Sequence, residues 1–234
     1  LLMNEGGTLV DRSTQYASAS TVAGDFGFNT PTDDRDAELA DVNGDGWLDV
    51  ITAVADLAGA DPKPLGHPRI YINLGNDISG AWLGFLYDEP RIPQLFTLAT
   101  PASCNPGGAI PGGMARAGRF CDMHFGDVDN DGDVDLYFVD YDRTEPPFND
   151  SEPVANDLND RLLLNDGTGF FTDSGQLNLN CTMLRSAFGT AVEIQDMNGD
   201  GRKDIVKCTT LDSASGFPIA ITMAYNDAVA APPN

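Results

Sequence analysis

Three nine-residue segments, at 41–49, 127–135 and 196–204, carry oxygen-bearing side chains at one shared spacing. Each has Asp or Asn at positions 1, 3 and 5, glycine at position 6 and Asp at position 9. Carboxylate, amide and carbonyl oxygens are the ligands that Ca²⁺ prefers, and glycine permits the sharp turn that gathers them around an ion. The spacing therefore predicts three calcium loops, and its recurrence predicts a repeat architecture.

In each loop we expect the side chains at positions 1, 3, 5 and 9 and the main-chain carbonyl of position 7 to bind the ion. In the first loop these are Asp41, Asn43, Asp45 and Asp49, with the Trp47 carbonyl. In the second they are Asp127, Asp129, Asp131 and Asp135, with the Asp133 carbonyl. In the third they are Asp196, Asn198, Asp200 and Asp204, with the Arg202 carbonyl. Mg²⁺ fits less well, because it keeps several waters and requires a stricter octahedron.

The loops overlap the EF-hand pattern in their first positions but differ from it afterwards. An EF-hand needs a bidentate Glu at position 12 and helices on both sides. Position 12 is Thr52, Phe138 or Lys207, and the residues that follow each loop are rich in β-branched and aromatic types, which favour strands. The sequence therefore predicts loops that join strands. The alternative is that the segments are acidic turns that bind no ion. This alternative explains a single copy of the motif well but explains three copies in register poorly.

Further short apolar segments recur around each loop. One precedes the loop (37–40, 123–126, 191–194), and another lies downstream and runs into Asn (69–73, 161–165, 221–226). Hairpin signals follow at 165–173, and similarly at 4–13. One unit is thus strand, calcium loop, strand, connection, strand, hairpin and strand. Four antiparallel strands per unit predict an all-β fold made of β-propeller blades.

The three loops and the Asn-Asp-Gly-Thr-Gly-Phe-Phe hairpin at 165–171 resemble the FG-GAP/VCBS repeat family, whose calcium-bearing propeller repeats also form integrin α-chain heads. A Phe-Gly-Thr-Ala stretch at 188–191 weakly matches the family's Phe-Gly phrase. The resemblance implies a propeller with structural calcium at the blade edges. Such propellers have more repeats than the three loops counted here, so we expect part of a larger propeller, completed by missing sequence or by another chain.

The repeats define the expected organisation along the chain. We expect a half blade at 1–30, a repeat at 31–99, a Gly/Pro-rich excursion at 100–117, and repeats at 118–187 and 188–234. Long connections at 55–68 and 142–160 should lie on one face, where loops on a rigid scaffold commonly carry function.

Charge and cysteine content bound the class of protein. The formal net charge of −23 argues against nucleic acid and anionic membranes as partners, because both require a cationic surface. Four cysteines fit a secreted chain with two disulfides, most simply Cys104–Cys121 and Cys181–Cys208, although buried free thiols in a cytosolic protein are the alternative. Calcium loops favour the extracellular interpretation, at the cell surface or in the periplasm, because weak extracellular modules operate at millimolar Ca²⁺.

The sequence contains no recognised catalytic motif, and we assign no catalytic residue. His67 is expected in a turn and His124 on an inner strand, beside the second loop. The expected function is an extracellular module for protein or carbohydrate binding, adhesion or scaffolding, stabilised by about three Ca²⁺ ions. The alternatives are a polysaccharide lyase or hydrolase on a calcium-bearing propeller, and a structural subunit of a surface assembly.

Overall fold

The computed structural model describes residues 1–55, 62–96, 98, 112–113, 115, 118–140, 160–174, 189–209, 221–224 and 226. Within these residues the chain is mostly β. The strands are β1 (Leu2–Glu5), β2 (Thr8–Asp11), β3 (Ala19–Ser20), β4 (Asp34–Ala40), β5 (Asp49–Val54), β6 (Arg69–Asn73), β7 (Phe85–Tyr87), β8 (Phe120–Gly126), β9 (Asp135–Asp140), β10 (Arg161–Asn165), β11 (Phe171–Asp173), β12 (Gly189–Gln195), β13 (Asp204–Thr209) and β14 (Ile221–Ala224). Two short helices, α1 (Ser13–Tyr16) and α2 (Lys63–Gly66), and 3-10 turns at Gly27–Asn29 and Glu89–Arg91 complete the elements.

The strands form antiparallel sheets in chain order. The first sheet runs β4-β5-β6-β7, with β3 added in parallel to β7; the second runs β8-β9-β10-β11, the third runs β12-β13-β14, and β1 and β2 form a hairpin of their own. Each predicted calcium loop joins the first two strands of one sheet, which confirms the predicted strand–loop–strand order. Among the described residues no sheet closes into a barrel or a propeller. No described helix is long and apolar enough to cross a bilayer.

The first strand of each sheet is longer than the sequence pattern predicts. β4, β8 and β12 begin before the expected apolar segments, and each contains a register shift at the same place: Asp34/Asp36, Phe120/Asp122 and Gly189/Ala191. A β-bulge inserts an extra residue and interrupts the two-residue alternation of side chains. The bulges therefore hide the start of these strands from a search for alternating apolar residues.

The three sheets share their cores with their neighbours. Every residue of β9 is buried. Leu136 and Phe138 lie in a cluster shared with the first sheet, whereas Tyr137 and Val139 lie in a cluster shared with the third sheet. Because successive side chains of a strand point to opposite faces, β9 connects both cores. The other face of the first sheet is covered by residues 12–30, through Phe28 against Tyr71.

The first strands β4, β8 and β12 lie beside one another and are joined by acidic side chains. The Asp36 carboxylate accepts the main-chain N–H of Met123 at 3.2 Å, and the Asp122 carboxylate accepts that of Val192 at 2.7 Å. Asp36 and Asp122 occupy the same place in successive sheets, five residues before position 1 of the loop. Burial, followed by the neighbouring Asp36 carboxyl, raises the pKa of Asp122 to about 6, against the opposing effect of the Val192 bond.

The raised pKa makes folding stability depend on pH. The usual pKa of Asp is about 3.9. The folded chain holds the Asp122 proton more tightly than the unfolded chain does. The protonated Asp122 carboxyl therefore contributes fully to folding stability below about pH 4, and this contribution is lost as the pH rises through 6. We expect Asp36→Asn, which removes the neighbouring charge and keeps an oxygen acceptor, to raise the unfolding free energy at pH 7.5 by about 1 kcal/mol, and to change it little at pH 4. Urea unfolding at the two pH values measures this difference.

The matched control for that experiment is Asp33→Asn, because Asp33 is exposed and precedes β4. It removes the same single charge from the chain without touching Asp122. An equal gain in the control, or a gain in Asp36→Asn that is the same at both pH values, contradicts the pairing of Asp36 with Asp122.

Candidate metal centre

The three loops share one internal hydrogen-bond pattern. The carboxylate at position 1 accepts the main-chain N–H groups of positions 5 and 6, and the carboxylate at position 5 accepts that of position 7. The donors to Asp41 are Asp45 (3.1 Å) and Gly46 (2.8 Å), those to Asp127 are Asp131 and Gly132 (both 3.1 Å), and those to Asp196 are Asp200 (3.1 Å) and Gly201 (2.9 Å). The position-7 donors are Trp47 (2.8 Å), Asp133 (3.0 Å) and Arg202 (2.9 Å). The repeated sequence thus folds into one repeated local structure.

Left-handed backbone at two positions closes each loop. Position 6 is glycine in all three, with φ between 88° and 101°. Position 4 is also left-handed: φ is 71° at Gly44, 63° at Asn130 and 79° at Gly199. Asn is the side chain that tolerates this region best after glycine. The sequence pattern therefore held a second conformational signal, at position 4, which sequence reasoning missed.

The Asp at position 9 is completely buried in each loop. One oxygen accepts the N–H of position 2, and the other accepts the N–H of the Asn that ends the third strand or follows it. For Asp49 the donors are Val42 (3.0 Å) and Asn73 (2.8 Å), for Asp135 they are Val128 and Asn165 (both 2.9 Å), and for Asp204 they are Met197 and Asn226 (both 2.9 Å). Burial raises the pKa of Asp49 and of Asp135 to about 6, although these hydrogen bonds lower it. The position-9 carboxylate therefore joins its loop by hydrogen bonds to the Asn that ends or follows the third strand of the sheet, in addition to its predicted role as a ligand.

The second loop brings predicted ligands within reach of a single ion. One oxygen from each of Asp127, Asp129 and Asp135 lies within 4.8 Å of the other two, and in the part of the chain that the structure describes no other three acidic, His or Cys side chains converge in this way. Oxygens bound to one Ca²⁺ at about 2.3–2.6 Å can be this far apart, so the three side chains fit the ion. Burial, followed by Asp131, raises the pKa of Asp129. Asp131 is a predicted ligand that lies outside this group.

The first and third loops place an amide where the second has a carboxylate. In each, the Asn at position 3 accepts the N–H of position 5 through Oδ1, at 3.1 Å for Asn43 and 2.9 Å for Asn198. The same amide donates through Nδ2 to the other oxygen of the position-5 carboxylate, at 3.0 Å and 3.2 Å. In these two loops the structure therefore brings the predicted ligands at positions 3 and 5 together. Their three Asp side chains do not converge as those of Asp127, Asp129 and Asp135 do.

The residues after the loops do not resemble those of an EF-hand. Strands β5, β9 and β13 follow the three loops directly, which confirms that the loops join strands. At position 12 of the third loop, the fully buried Lys207 pairs with the buried Asp160, which directly precedes β10 of the second sheet. Asp160 also accepts the Tyr137 hydroxyl at 2.8 Å and the Asp140 N–H at 2.9 Å. In the third loop, position 12 thus contacts the neighbouring sheet.

Both histidines have structural surroundings. His67 follows α2 as expected for a turn, but it is buried, and its Nε2 accepts the Leu95 N–H at 2.9 Å. Burial, with the nearby charges of Lys63 and Arg161, lowers the pKa of His67 to about 4, so the ring is neutral at physiological pH. His124 lies on β8, with Nε2 at 3.2 Å from a carboxylate oxygen of Glu193 in the third sheet.

The cysteine pairing expected from sequence is not present at Cys121. This residue is a free thiol in β8, and burial raises its pKa to about 11. The predicted bridge Cys104–Cys121 is therefore not formed. Cys208 lies half-buried in β13, and its predicted partner Cys181 lies outside the described residues, as does Cys104.

The functional residues that sequence reasoning missed are the three asparagines Asn73, Asn165 and Asn226. Besides the main-chain bond to position 9, the Asn165 side chain donates to the Val134 carbonyl of its own loop at 3.0 Å and to the Val42 carbonyl of the first loop at 2.8 Å. Asn226 likewise donates to the Val128 carbonyl of the second loop at 2.6 Å. The available signal was an Asn that ends or follows each third strand, but its partners are distant in sequence.

No family model matches this chain, and a search of curated proteins found no match either.

Proposed function

We propose that this chain is an extracellular module in which three structural Ca²⁺ ions stabilise a stack of β-sheets that binds a protein or carbohydrate. The observation that carries the proposal is the shared hydrogen-bond pattern of the three loops, together with the convergence of Asp127, Asp129 and Asp135 in the second. The donor set consists of hard oxygens, as calcium requires. When bound, the ion would neutralise clustered carboxylates that otherwise repel one another.

The proposal includes a β-propeller of the FG-GAP/VCBS kind. Its support is the order of strands: apart from the short β3, the three sheets are antiparallel meanders in chain order. Successive sheets share a core, and β4, β8 and β12 lie side by side. Blades around a common axis have this arrangement. The proposed calcium loops would then lie at one edge of each blade, between its first and second strands.

The proposed extracellular location is supported by the chemistry of the sites and by the charge. Loops that bind calcium weakly fill only where Ca²⁺ is millimolar, which is the extracellular condition. A net charge of −23 keeps such a surface soluble and directs binding toward neutral or cationic partners.

Isothermal titration calorimetry of chelator-treated protein tests the metal sites. We expect three Ca²⁺ ions per chain, with the second loop tightest because its four side-chain ligands are carboxylates. Asp129→Asn should weaken the tightest site about tenfold, because ligand charge sets the affinity of such loops.

The matched control is Asp133→Asn, which removes the same charge from the same loop at position 7, where only the main-chain carbonyl is a proposed ligand. We expect a smaller loss there. Absence of calcium-binding heat contradicts the proposed function, and equal losses in the two variants contradict the assignment of Asp129 as a ligand.

A further inference from the structure

Hydrogen bonds connect the position-9 carboxylates of successive loops. From the first loop, Asp49 Oδ2 accepts the Val42 N–H at 3.0 Å, and the carbonyl of Val42 accepts Asn165 Nδ2 at 2.8 Å. The main-chain N–H of Asn165 then donates to Asp135 Oδ1, in the second loop, at 2.9 Å. The same sequence of bonds leads from Asp135 through Val128 and Asn226 to Asp204. We call this series the carboxylate relay.

Asn165 is held rigidly within this relay. Its side chain is only 6% exposed. Its Oδ1 accepts the N–H groups of Gly167 at 3.2 Å and of Gly169 at 3.0 Å, while its Nδ2 spans the Val134 and Val42 carbonyls. Every polar group of this amide is therefore engaged, and the side chain cannot turn away from one loop without breaking bonds to the other.

We propose that Asn165 is a positioning residue that couples the first and second calcium loops, so that an ion in one raises the affinity of the other. This inference rests on the proposed binding of calcium. An ion in the second loop fixes Asp135 and hence Asn165, and Asn165 in turn fixes position 2 of the first loop, next to its ligand Asp49. The ordering that one ion imposes is thus shared with the next site, which is the condition for positive coupling between sites.

The chain offers a probe that lies at the first loop. Its two tryptophans, Trp47 and Trp82, both lie in connections between strands of the first sheet. Trp47 is position 7 of the first loop, and Trp82 Nε1 donates to the Asn73 side chain at 2.7 Å. Tb³⁺ occupies oxygen-rich calcium sites and emits when a nearby indole is excited. Tryptophan-excited Tb³⁺ emission therefore measures occupancy of the first loop.

The experiment is a double-mutant cycle on Tb³⁺ affinity in the full chain. The second loop is inactivated by Asp129→Ala with Asp131→Ala, two exposed residues that take no part in the relay. We expect this inactivation to weaken Tb³⁺ binding at the first loop about fivefold when Asn165 is present, a typical size for coupling between sites. In the Asn165→Ala background the same inactivation should change the affinity less than twofold, which is below typical coupling.

Two further variants protect the interpretation. Asn165→Asp keeps an oxygen acceptor for Gly167 and Gly169 but has no donor for the two carbonyls, so it should also abolish coupling. It replaces Asn165→Ala in the experiment if that variant folds poorly. Asn4→Ala is the control, because Asn4 accepts the Gly7 N–H in the β1–β2 hairpin and should leave the fivefold effect intact.

The outcomes separate the inference from the proposed function. A fivefold effect that survives both Asn165 variants, or no effect of the second loop in the unmodified background, overturns the coupling while calcium binding stands. Absence of any tryptophan-excited emission that Ca²⁺ can displace overturns the metal sites themselves, and the coupling with them.

Discussion

We expect removal of calcium to lower the thermal unfolding midpoint of this protein by about 20 °C. Scanning calorimetry with and without chelator measures this difference. Each proposed site would add about 2.7 kcal/mol when free Ca²⁺ is a hundredfold above its Kd, so three sites would add about 8 kcal/mol. For a chain of this length, 1 kcal/mol corresponds to about 2–4 °C. The physical cause is the cluster of Asp side chains at each loop, which repel one another when no cation lies between them.

The control for calcium removal is a chain with Asp45→Ala, Asp131→Ala and Asp200→Ala, one exposed position-5 residue from each loop. Its unfolding midpoint should be nearly the same with chelator and with calcium. An unmodified protein that unfolds at the same temperature in both conditions contradicts a structural role for the ion, whatever binding is measured.

We expect the replacement Asp135→Ala to destabilise the folded chain by about 4 kcal/mol, even in excess chelator. The buried carboxylate accepts the N–H groups of Val128 and Asn165, both at 2.9 Å. An unsatisfied buried donor costs about 1–3 kcal/mol, and two are left by this change. Urea unfolding in chelator measures the loss without any contribution from metal.

Asp131→Ala provides the comparison, since Asp131 is exposed and accepts one N–H, from Asp133. In chelator it should cost less than about 1 kcal/mol, the typical value of an exposed surface change. Equal losses in the two variants would mean that position 9 acts as a ligand only, and that the burial of Asp135 contributes nothing to the sheet.

Much of the architecture could be predicted from the sequence because its causes are local. The turn at position 6 requires glycine, the acidic positions alternate within nine residues, and β-branched residues follow at once in β5 and β13. These effects act over less than a dozen residues, so reading the chain in order was sufficient to place the loops between strands. The same reasoning excluded EF-hand helices.

Other features could not be predicted because their partners are far apart along the chain. The Asn165 side chain reaches a carbonyl 123 residues earlier, and Lys207 pairs with Asp160, which precedes a strand of another sheet. Asp36 and Asp122 are ordinary surface acids by sequence, yet the bulged first strands bring them together.

The amino-acid sequence by itself determined the three oxygen-rich loops, the strands they join and the repeat that sets them in register. Only the tertiary structure decided that Asp49, Asp135 and Asp204 are buried carboxylates connected through asparagines of neighbouring sheets. The physical reason is that turn geometry and strand preference are properties of short segments. Burial and hydrogen bonding between sheets, in contrast, exist only after the sheets have packed.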